Sequence, residues 1–89
     1  MKFIKKITMN DAYEIAKKHN PGMIGIRCVE YDKYYCFNMV PEVNGAMFAD
    51  SCTRRVSKRT GKYDLVHFEA MIGERRIRSV EIINGKIEL

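Results

Sequence analysis

The chain has no tryptophan, only two prolines, and three cysteines among which no Cys-x-x-Cys pair occurs. Nowhere does it approach the ~18 consecutive apolar residues that read as a membrane span. The opening Met1-Lys2-Phe3-Ile4-Lys5-Lys6 is basic, but no apolar stretch follows it, so it does not read as a signal peptide. No membrane partner is expected. The cysteines, Cys28, Cys36 and Cys52, are odd in number and irregular in spacing. A small secreted domain would carry an even disulfide framework, so three free thiols in a reduced, cytoplasmic compartment are expected.

Catalytic motifs are also missing. There is no Gly-x-Ser-x-Gly, no phosphate loop and no paired-carboxylate motif. His19 and His67 are the only histidines, and their spacing to the cysteines fits no zinc-ligand pattern. Cys52 and His67 could be neighbours on paired strands, the one place where a nucleophile and a base could meet. The sequence therefore predicts a protein that is not an enzyme, with no metal and no cofactor.

What remains is globular composition: 89 residues, 46% hydrophobic and 30% charged. One domain, 1–89, is expected, with a single modest core. Residues 1–7 read as a short edge strand or a lead-in to that core. Thr8 is an N-cap and Asp11 stands three residues on, a capping-box pattern that predicts a helix over 9–19. Met9, Ala12, Ile15, Ala16 and His19 share one face, and Asn20-Pro21-Gly22 ends the helix.

From Ile24 the period becomes 2. If Asp32-Lys33 is a two-residue turn, Cys28 faces Phe37 and Ile26 faces Met39, all four towards the core. Residues 41–45 read as a loop. A third strand is expected from near Met47 through Cys52 towards Val56, with Thr60-Gly61 as a turn and Tyr63–Phe68 returning. The register of that return stays open: a tight turn would put Val56 beside Leu65. Asn84-Gly85 predicts a type I′ hairpin pairing Ile82 with Ile87 and Val80 with Leu89. The stretch 69–78 is ambiguous, since Gly73 opposes a long helix but permits a short one. The fold class is thus α+β: an N-terminal helix on an antiparallel sheet of about four to six strands.

The helix face Ala12-x-x-x-Ala16, the strand Tyr34-Tyr35-Cys36-Phe37 and the turn from Val56 to Lys62 resemble small domains of PepSY type. They also resemble certain bacterial immunity proteins and short phage proteins. The resemblance covers about residues 8–68. It implies a binding or inhibitory module without catalysis, of phage or mobile-element origin, and supplies no functional residues.

Charge is the feature that stands out. The formal net charge is +5, and all of the excess lies between Arg54 and Arg78. That stretch holds Arg54, Arg55, Lys58, Arg59, Lys62, Arg75, Arg76 and Arg78 against Asp64, Glu69 and Glu74. Such asymmetry suggests an acidic partner. The leading expectation is an interaction protein with an acidic protein partner. The alternative is a nucleic-acid binder, with phosphates held by these residues and bases stacked on Tyr31, Tyr34 or Tyr63. The helix–strand–strand–strand start resembles a double-stranded-RNA-binding domain, but a hairpin stands where that family has its basic C-terminal helix. A third possibility is a homo-oligomer joined through a sheet edge. Against all of these stands a simpler one, a solvated hairpin whose charges protect an edge from aggregation.

Overall fold

The computed structural model describes residues 7–42 and 52–89. One helix, α1 (Met9–His19), packs on a six-stranded antiparallel sheet: β1 (Met23–Tyr31), β2 (Tyr34–Pro41), β3 (Cys52–Ser57), β4 (Tyr63–His67), β5 (Arg76–Ile83) and β6 (Lys86–Ile87). The spatial order is β4-β3-β2-β1-β5-β6. This is the α+β architecture that the patterning predicts.

The helix starts where its cap lies. Thr8 accepts from the Asp11 backbone N–H at 3.1 Å, and the Asp11 carboxylate accepts from the Thr8 N–H at 3.1 Å. Both bonds of the capping box satisfy donors that would otherwise have no partner in the first turn. The buried helix residues are Met9, Ala12, Tyr13 and Ala16. Tyr13 replaces His19 in the expected face. Its ring meets Phe37 at a centroid distance of 5.5 Å, and its hydroxyl accepts from the Gly25 N–H at 3.0 Å. A Cβ at Gly25 would lie 2.6 Å from the Tyr13 ring, so only glycine lets the helix sit this close. His19 is exposed and stacks instead on Tyr63, at 4.3 Å.

Cys28 faces Phe37, as the Asp32-Lys33 turn requires. Ile26 does not face Met39. A bulge at Ile26 moves Met39 opposite Gly25 and leaves Ile26 only half-buried. The helix-side core is Cys28, Tyr35, Phe37, Met39, Val56, Val80 and Ile82, with Phe37 and Val56 fully enclosed. Ile7 packs against this core; the rest of the predicted lead-in lies outside the described residues, as do 47–51 of the third strand.

The β3–β4 register, left open by the sequence, is not that of a tight turn. The turn between β3 and β4 spans five residues, so Val56 pairs with Tyr63 and Leu65 pairs with Arg54. Asn84 and Gly85 take the expected positive φ of 52° and 78°, and Ile82 pairs with Ile87. The Glu88 N–H donates to the Glu81 carbonyl at 3.0 Å, which continues the expected register, and Leu89 beyond it is exposed. The ambiguous stretch holds one 3-10 turn, Phe68–Met71, and the first residues of β5. This connection must carry the chain from edge strand β4 to β5, past three intervening strands. It does so across the face opposite the helix, where Met71 is buried and its sulfur lies 3.9 Å from Arg55.

Candidate functional site

The basic residues of 54–78 divide into those that hold the fold and those that face water. Arg54 is buried on the helix side of the sheet. Its Nε donates to the Asn20 side chain at 3.0 Å, and Asn20 donates in turn to the Ala16 carbonyl and the Tyr63 hydroxyl. Arg54 thus fixes the C-terminal end of α1, where the helix dipole favours a cation. Arg55 points to the opposite face. It pairs with Asp64 at 3.3 Å and lies over the Tyr34 ring at 4.4 Å. Adjacent strand residues alternate, so these two arginines cannot serve one ligand.

The other six are brought to one end of the sheet. Because β1 to β4 form a meander, the 32–33 turn and the 58–62 turn stand at the same end. β5 runs antiparallel to β1, so its beginning lies there too. Backbone bonds tie the three segments: Lys58 N–H donates to the Lys33 carbonyl at 3.0 Å, and Asp32 N–H to the Arg75 carbonyl at 2.8 Å. Lys33, Arg59, Lys62, Arg75 and Arg76 are exposed. Ile7 bonds to Lys58 at this end as well, so the positive end of the helix dipole adds to the same field. The acids beside them are Asp32, Glu74 and Glu30.

Glu30 offsets part of this charge. Its carboxylate accepts from Lys58 at 2.6 Å and from Arg78 at 2.7 Å. Burial alone would raise its pKa, but the two hydrogen bonds together with the charges of Lys58 and Arg78 outweigh that and hold the carboxyl below its ordinary value. Lys58, whose amine also lies 5.0 Å from the Tyr35 ring, and Arg78 are therefore partly neutralised. The free charge of the surface comes from Lys33, Arg59, Lys62, Arg75 and Arg76.

No protein-family model, curated protein or solved structure matches the chain. Its chemistry is therefore read from its own residues. Lys33 and Glu30 are the members that the charge pattern of the sequence does not single out. Strand alternation could have found Lys33, since it sits in the turn of the first predicted hairpin.

The remaining chemistry is sparse. Cys52 does stand opposite His67 in the β3–β4 register. The His67 Nδ1 lies 4.0 Å from Glu69, beyond hydrogen-bond reach, and both side chains are more than half exposed. That acid does not orient the imidazole as nucleophile activation requires. Among the described residues no three of His, Cys, Asp and Glu are grouped to hold a metal, and no helix is long and apolar enough to cross a membrane. A cleft of about 240 Å³ lies between the open sheet face and the 3-10 turn, lined by Tyr31, Cys36, Asn38, Thr53, Phe68 and Met71 among others. It is smaller than the usual ligand cavity of roughly 300–1,000 Å³.

The thiols differ in environment. Burial pushes Cys28 up to about 12, and the neighbouring Cys36 and Glu30 add to it. Burial likewise pushes Cys36 up to about 11, against a hydrogen bond with Thr53 and the charge of Arg55. Cys52 is only half-buried. A disulfide-exchange reagent at pH 8 should therefore titrate Cys52 rapidly in the native protein. Cys28 and Cys36 should react only on unfolding, which brings the total to three. Three fast thiols would mean that the sheet opens far more readily than its packing implies.

Proposed function

We propose that this chain is a small non-catalytic interaction protein that docks an acidic protein surface against the basic end of its sheet. The observation that carries the reading is the convergence of Lys33, Arg59, Lys62, Arg75 and Arg76 from two turns and the start of β5. A rigid, one-sided field of this kind steers an acidic partner and fixes its orientation. The nucleic-acid alternative is less well supported. Tyr34 is covered by Arg55 and Tyr63 by His19, so two of the three rings offered for base stacking are already in use. An inhibitory or immunity role fits such a surface, and the PepSY-type and immunity-protein resemblance favours it. The free thiols suit a reduced, cytoplasmic setting.

The test is the double reversal Arg59→Glu/Arg76→Glu, with Lys18→Glu/Lys86→Glu, two exposed cations away from that end, as a control of equal charge. Binding is measured by surface plasmon resonance on immobilised polyglutamate and on single- and double-stranded oligonucleotides, over a salt series. The double reversal should slow association with polyglutamate by about tenfold or more, and the control should change it little. Oligonucleotides should bind weakly. Tight oligonucleotide binding with a log–log salt slope of roughly −3 or steeper, abolished by the double reversal, would replace the protein-partner reading with the nucleic-acid one. Polyglutamate binding that neither variant alters would show that the surface lies elsewhere.

A further inference from the structure

The two edges of the sheet are unlike. One is β6, two residues long, beginning with Lys86 and followed by Glu88. A short, charged edge of this kind resists pairing with another strand. The other edge is β4, and among the described residues it carries none of the usual protections. Tyr63–His67 contains no proline and no lysine, and it pairs with β3 over five consecutive residues without a bulge. Its one acidic residue, Asp64, is already matched by Arg55. At its centre Leu65 is 57% exposed, on the same side of the sheet as the helix.

We propose that β4 is a dimerisation edge, pairing antiparallel with β4 of a second copy of this chain about a two-fold axis at Leu65. The strand's own pattern argues for this occupant. Centring the axis on Leu65 places Tyr63 opposite the partner copy's His67 and Asp64 opposite its Val66. No like charges then oppose, and the two Leu65 side chains meet on the helix side. Centring it one residue earlier would set Asp64 against Asp64. The same symmetry bears on the net charge. Antiparallel pairing turns the two basic ends away from each other, so the strongest fields do not meet. A parallel arrangement would stack them. The product is a continuous twelve-stranded sheet, twice the six strands of one chain, with one basic end on each of the two sides formed by the strand ends. Such a dimer is bivalent towards an acidic partner, but its formation does not depend on the proposed function.

A five-residue edge is a small interface, and association in the micromolar range is expected. The test is sedimentation velocity from about 5 to 500 µM, wild type beside Leu65→Lys. The wild type should move from monomer towards twice the monomer mass across this range. Leu65→Lys should stay monomeric with an unchanged circular dichroism spectrum, because the residue is exposed in the monomer. A wild type that remains monomeric at the highest concentration overturns the proposal. So does a dimer that survives Leu65→Lys. Should that variant fail to fold, hydrogen exchange on the wild type decides: amides of 63–67 must gain protection as concentration rises, and no gain overturns it.

Discussion

Phe37→Ala is expected to cost about 3–5 kcal/mol, most of what a domain of this size has. Phe37 is fully enclosed at the middle of β2. It touches Tyr13 from the helix above, faces Cys28 on β1 and lies opposite Arg54 on β3. Removing the ring leaves a void between three strands and the helix. The ladder hydrogen bonds hold the strands near their spacing, so the space cannot simply close. A urea titration followed by circular dichroism checks the result: the variant should have a greatly lowered midpoint or be unfolded without urea. A midpoint near that of the wild type would mean that the core lies on the other face of the sheet. The adjacent substitution Asn38→Ala is the comparison, since Asn38 is exposed and should cost little.

The second large effect belongs to Glu30. Glu30→Gln leaves Lys58 mostly enclosed, its side chain 13% exposed, without a counter-charge. Breaking a buried pair in this way costs roughly 3–5 kcal/mol, and the half-exposed Arg78 and the sheet-end location reduce that to about 2–3. The pH dependence has a defined sign. The Glu30 carboxyl is held below its ordinary 4.5 in the folded protein, so its contribution is fully present above that value. It is lost as the pH falls through the folded-state pKa. The wild type should therefore lose stability below about pH 4.5, and Glu30→Gln should show a shallower decline across the same window. Equal urea midpoints at pH 7 would show that Lys58 and Arg78 do not need this carboxylate. The same variant releases two cations at the basic end, so if that end binds acidic proteins, association with polyglutamate should quicken while stability falls.

Local features of the chain are legible in its sequence. Thr8 and Asp11 each satisfy a backbone donor within a few residues, so α1 begins where the pair says it must. Asn84-Gly85 takes positive φ at both positions, so the last hairpin turns there. Alternation places Cys28 against Phe37. The failures come where distant groups compete for one position. Tyr13 displaces His19 from the helix's inner face because Gly25, on another element, leaves room for its ring and supplies an N–H to its hydroxyl. The Ile26 bulge, next to that contact on β1, shifts Met39 opposite Gly25.

The basic surface divides in the same way. The sequence by itself determined the class of fold, the helix and its cap, most strand identities and the concentration of positive charge between Arg54 and Arg78. Each of these follows from residues that act on neighbours, through hydrogen-bond reach, backbone dihedral preference or alternation. Only the tertiary structure decided which charges face water together. Strand order did it: placing β5 beside β1 carries Arg75 and Arg76 to the 32–33 and 58–62 turns. It also buried Arg54 at the helix end, folded Arg55 under the 3-10 crossing, and gave Lys58 and Arg78 a shared carboxylate. Those outcomes depend on burial and on long-range pairing, which minimise unpaired polar groups over the whole molecule. No window of adjacent residues contains that information.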